Sequence, residues 1–173
     1  MDLPFDVVDL GPAADAPDEG DTAPDFTRPL VNEAYWADRS LDAVVAEDPD
    51  APTVLLFHPM AGSFPATYVW KEVTKRDWAA DATVVGLSIA TPYAHKRLID
   101  DHEMGADYRV YSDPGNGVAE DYGIAHALDG MNGVSEPRPA AFVLDSDREV
   151  QFAWVAESWP DFPPYDAIED AIR

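Results

Sequence analysis

Residues 55–70, LLFHPMAGSFPATYVW, decide how this chain reads. Extended back to Pro52, the apolar run PTVLLF has no polar alternation, as expected of a strand buried on both faces. Ser63 is a capping residue, and Pro65 falls in the first helical turn, where a missing N–H costs nothing. Val69 and Val73 recur at i, i+4, so a helix is predicted from Ser63 to about Ala80. A strand that runs through a loop onto a helix N-terminus has the shape of a reaction site. Ala66, however, presents only a methyl group there.

Outward from this stretch the chain alternates. Thr83–Ile89 (TVVGLSI) reads as a second buried strand. TPYAHKRLIDDHEMG reads as a helix with Thr91 as N-cap, Pro92 at its first position and Gly105 as its stop. YRVYSDP is a short strand and NGVAEDYGI a short helix ending at Gly123. PAAFVLDSDREVQFAWVAES is a hairpin turning at Asp145–Asp147, and YDAIEDAIR is an amphipathic helix with Ile168 and Ile172 one turn apart. Parallel strands with helical crossovers, closed by an antiparallel hairpin, predict a thioredoxin-like α/β fold: a mixed central sheet flanked by helices. Residues 1–22 are expected to form an N-terminal extension, with a strand-like piece over Phe5–Leu10 and an irregular acidic segment. Residues 23–173 are expected to form the domain.

Composition narrows the function classes. Thirty-four acidic against 11 basic residues give a formal net charge of −23. Such a charge opposes compaction at low salt, and molar salt screens it by shortening the Debye length to about 3 Å. The acids are spread along the chain, a pattern suited to a salt-rich cytoplasm of haloarchaeal type, the alternative being an acidic mesophilic protein. Nucleic acid is not expected as a partner, because no basic stripe is present to neutralise phosphates. A membrane is not expected either, since no apolar run approaches the roughly 20 residues of a span. The opening MDLPFDVVDLGPAADAPDEGD lacks the basic region of a signal peptide, and a cytoplasmic location is expected. With no cysteine, the chain can form neither disulfides nor thiolate metal sites. The histidines His58, His95, His102 and His126 show no metal-binding spacing, and neither a metal nor another cofactor is expected. His102 and Glu103, adjacent on the predicted helix, are expected on different faces.

APDFTRPL (23–30), LLFHP (55–59), VVGLSIATPYAHKRL (84–98), YSDPGNGVAEDYGI (111–124) and AAFVLDSDREVQFAWV (140–155) occur in an order and spacing that resemble peroxiredoxins. The likeness is to the alkyl hydroperoxide reductase and bacterioferritin-comigratory type. It implies a thiol peroxidase whose cysteine sits in a P-x-x-x-T-x-x-C segment at a helix start. There the helix N-terminus lowers the thiol pKa, and the thiolate attacks peroxide to give a sulfenic acid. A threonine and a distant arginine orient the peroxide. On this chain Pro59 matches the proline, Ser63 stands for the threonine, and Ala66 occupies the cysteine position. Pro139 stands at the arginine position, with Arg138 displaced by one.

An alanine cannot be the nucleophile, so no catalytic residue is certain and thiol peroxidase activity is not expected. The pocket candidates are His58, Pro59, Ser63, Ala66, Thr67, Arg138 and Pro139. Ser63 reads first as a cap and His58 first as a packed histidine. Pro139 also stands where thioredoxins carry a cis-proline, which raises a cis Arg138–Pro139 bond as an expectation. Three functions remain open. One is a pseudo-enzyme with a binding or regulatory role towards an unknown protein partner. The second is an antioxidant oxidoreductase whose cysteine was exchanged for Ala66. The third is a small-molecule enzyme using the inherited pocket. The resemblance also implies a homodimer, for which Trp36, Trp70, Trp78, Trp154 and Trp159 are contact candidates.

Overall fold

The computed structural model describes residues 6–128 and 130–173. The chain runs through β1 (Val8–Asp9), β2 (Thr27–Val31), β3 (Trp36–Ser40), α1 (Leu41–Val45), β4 (Thr53–Phe57) and α2 (Phe64–Lys75). After a 3-10 turn (Trp78–Ala80) come β5 (Thr83–Ser88), α3 (Pro92–Asp101), β6 (Tyr108–Ser112) and α4 (Gly117–Asp121). The last elements are β7 (Ala125–His126), β8 (Glu136–Pro137), β9 (Ala140–Leu144), β10 (Val150–Val155), β11 (Ser158–Trp159) and α5 (Tyr165–Ile172).

Seven strands form one mixed sheet in the order β10-β9-β4-β5-β6-β2-β3. Strands β4, β5 and β6 are parallel, and β9, β10, β2 and β3 join antiparallel on either side. This is the predicted thioredoxin-like architecture. Pleating sends alternate residues of β4 to opposite faces. Leu55 and Phe57 enter a core with Phe26, Tyr111, Tyr122 and Phe142, while Val54 and Leu56 enter one with Trp70, Trp78, Leu98 and Ile168. Every residue of β4 and of β9 is buried, which explains their unbroken apolar sequences.

Several details depart from the sequence reading. The predicted helix 63–80 ends at Lys75, because Asp77 adopts a left-handed conformation (φ 55°) and the chain continues as the 3-10 turn. Helix α3 ends at Asp101, and the left-handed turn after it comes at Glu103 (φ 50°), ahead of Gly105, with Met104 N–H donating to Ile99 O at 3.0 Å. His102 caps that end and Glu103 lies beyond it, so the two do not share a helix. The hairpin β2–β3 and helix α1 were not anticipated. The Phe5–Leu10 piece contracts to β1, paired with β11, and Phe5 lies outside the described residues. The segment after β1 is laid on the sheet: Gly20 N–H donates to Val150 O and Val150 N–H to Asp21 O, both at 2.9 Å. Gly123 (φ 69°) makes room for it, since a Cβ there would lie 2.8 Å from the Asp15 backbone.

Among the described residues the one cis peptide bond is Trp159–Pro160, so Arg138–Pro139 is trans, contrary to expectation. Around it Arg138 N–H donates to Ile124 O and Pro139 O accepts from Ala156 N–H, each at 2.8 Å. These bonds hold the bond's two sides as one extended run into β9.

Candidate functional site

The C-terminal ends of the three parallel strands bring together His58, Ser88 and Ser112, the edge at which open α/β sheets commonly bind ligands. His58 N–H continues the ladder to Leu87 O at 3.1 Å, after which the chain leaves the sheet through Pro59. Glu136, buried beside this loop, accepts from Met60 N–H at 2.9 Å. Gly62 takes φ 91°, a turn that favours glycine, and delivers Ser63 to the head of α2. Ser63 Oγ accepts from Ala66 N–H at 3.4 Å, so its hydroxyl is the helix cap. Ala66, in the first turn, is fully buried.

His58 is buried and its two ring nitrogens are both engaged. The Trp70 indole, which can only donate, gives its N–H to Nε2 at 3.1 Å. Nδ1 therefore carries the proton and donates to Pro59 O at 2.8 Å. Burial depresses its pKa to about 4, partly offset by the Pro59 bond. Locked as a neutral tautomer, His58 is the packed histidine that the sequence reading favoured, with no free lone pair for a substrate. Gly86 of β5 makes this possible, because a Cβ there would collide with the Trp70 ring and lie 3.0 Å from His58 Nε2.

His95 of α3 sits behind it, the two rings 6.2 Å apart. Its nitrogens lie 2.6 Å from Ser88 Oγ and 2.6 Å from Ser112 Oγ. Burial, and then the neighbouring His58, bring its pKa to about 3. Neighbouring Asp113 ties strand β2 to the start of α4, accepting from Arg28 Nε and from Val118 N–H, both at 2.8 Å. This buried polar row was not assembled from the sequence. The only signal was Gly86 inside an apolar run, which marks a close approach.

The predicted pocket residues fall into two groups. His58, Pro59 and Ser63 lie on the β4–α2 connection, and Ala66 and Thr67 in the first turn of α2. Thr67 borders a cleft of about 150 Å³ with Ala61, Gly62, Arg97, Asp101 and His102. Arg138 is engaged elsewhere: its guanidinium donates to Gly11 O at 2.7 Å, Leu10 O at 3.1 Å and Ala156 O at 3.4 Å. It fastens the N-terminal segment, and Pro139 follows it into β9 without a polar side chain. Among the described residues no group of three or more His, Asp or Glu side chains is arranged to hold a metal ion.

Solved structures with the same fold span most of the chain. "Peroxidoxin BcpB" from Mycobacterium tuberculosis is 25% identical, with 89% of this chain and 93% of the other covered and a TM-score of 0.67. A thiol peroxidase from Chromobacterium violaceum is 20% identical over 94% and 87%, with a TM-score of 0.71. A cysteine-to-serine mutant of the peroxiredoxin 6 of Arenicola marina reaches a TM-score of 0.75 at 15% identity over 91% and 72%. No curated protein matches by sequence. The AhpC/TSA family profile covers residues 19–153, from the segment laid on the sheet into β10. With most of its length matched in this way, the chain belongs to the AhpC/TSA family.

Proposed function

We propose that this protein is a peroxiredoxin-family pseudo-enzyme: it has no thiol peroxidase activity and acts as a binding or regulatory module. The observation that carries the reading is the buried methyl of Ala66 at the head of α2, in a chain without cysteine. Two further features support it. His58 is closed off between Trp70 and Pro59, and the arginine nearest the family position is bound to backbone carbonyls of the N-terminal segment. A simple exchange of cysteine for Ala66 would account for neither the serine at 63 nor the proline at 139. The protein works as a homodimer in a salt-rich cytoplasm, and its net charge of −23 favours that setting.

The chain purified in molar KCl should elute as a dimer and consume no hydrogen peroxide above a blank in the presence of a thiol reductant. Peroxide turnover above the blank would overturn the non-catalytic reading. A monomer at all accessible concentrations would overturn the dimer.

A further inference from the structure

We propose that the cleft between α2 and α3 is a binding site for a small oxyanion, held by Arg97 and Lys71 with the His102 ring and the Thr67 hydroxyl beside them. The first observation is how the positive charge is spent. In a chain with 34 acids and 11 bases, cations are expected to be taken up by carboxylates. Among the described residues every lysine and arginine except Lys71 and Arg97 is so held, apart from Arg138, which binds carbonyls. One exception lines a cleft and the other lies beside it. Arg97 lines the cleft with Thr67 and His102. Lys71 follows Thr67 by one turn of α2, and its charge acts on His102.

Helix α3 supplies an internal comparison. Lys96 reaches Asp100 four residues on, at 2.6 Å. Arg97 has Asp101 at the same spacing, both border the cleft, and yet they form no ion pair. The Arg97 guanidinium, exposed at the cleft, is thus not committed to a protein carboxylate. The His102 ring is held below the usual histidine range first by partial burial and then by Lys71, against the opposing pull of Asp101. A bound anion would relieve the repulsion between Lys71 and a protonated His102.

The volume limits the ligand. A cleft of about 150 Å³ is well below the roughly 300 Å³ at which drug-sized pockets begin, so it suits a tetrahedral oxyanion or a short carboxylate. A planar guanidinium offers two parallel donors to such a group, and an ammonium adds a point charge. Asp101 works against binding, which fixes the sign of one variant.

The test is a titration of the intact protein with inorganic phosphate at pH 7, with ionic strength held constant by KCl and the histidine ring resonances followed by NMR. The expected result is a saturable shift centred on His102, with the His102 pKa rising as phosphate binds. Arg97→Gln should weaken the response about tenfold or more, the loss expected for a charge-assisted bond. Asp101→Asn should strengthen it. Both positions are solvent-exposed, so neither exchange threatens the fold. A non-saturable shift, or equal affinity in the parent and Arg97→Gln, overturns the assignment.

Discussion

Two neutral histidines set edge to face in the interior make stability fall with acid in a defined window. In the native chain His58 titrates near 4 and His95 near 3, against an ordinary value of 6.5. The unfolded chain therefore binds protons that the native chain refuses between pH 6.5 and about 4, and stability drops as pH falls through that range. For His58 alone, integrating from pH 7 to pH 5 gives a loss of about 2 kcal/mol, and His95 contributes a similar amount. Relief of acidic self-repulsion has the opposite sign, so the measurement belongs in molar KCl, where that repulsion is screened. Urea unfolding of the parent and of His58→Gln at pH 7 and pH 5 isolates the term. Glutamine retains an acceptor for the Trp70 indole but carries no titrating ring. The variant should lose about 2 kcal/mol less than the parent over this interval. Equal losses in the two proteins would refute the claim that His58 is buried neutral.

Two other perturbations probe the same framework. Gly86→Ala drives a methyl into the Trp70 ring and should cost about 1–3 kcal/mol, seen as a lower urea midpoint at unchanged slope; an unchanged midpoint would mean that the strand and ring are not in contact. Arg138→Ala removes the donors that hold Leu10 and Gly11 and should speed amide exchange in residues 8–20 while leaving β4 and β5 protected. Uniform loss of protection would instead give Arg138 a global role.

How far sequence carried the account depends on the kind of interaction. Strands β4, β5 and β9 were legible because burial on both faces leaves an uninterrupted apolar run. Helices α2 and α3 announced themselves through Ser63, Thr91 and the prolines that follow, and both hydroxyls cap as expected. Strands β2 and β3 were hidden: β2 contains Pro29, and the edge strand β3 (WADRS) is mostly exposed, so neither shows a clean period. The break at Asp77 depends on a left-handed residue that is not glycine, for which an aspartate is only a weak signal in the sequence. Ala66 and Ser63 could be placed from spacing along one segment. The fate of Arg138 could not, because its partners Leu10 and Gly11 lie 128 and 127 residues away and meet it only in the folded sheet.

The central claim is that the site has lost more than its sulfur. Stopped-flow measurement of the reaction between hydrogen peroxide and Ala66→Cys tests this most directly. With Arg138 committed to the N-terminal segment and proline at 139, the introduced thiol should react no faster than a free cysteine at the same thiolate fraction. A rate orders of magnitude above that reference would show a pocket still built for peroxide and would contradict the account.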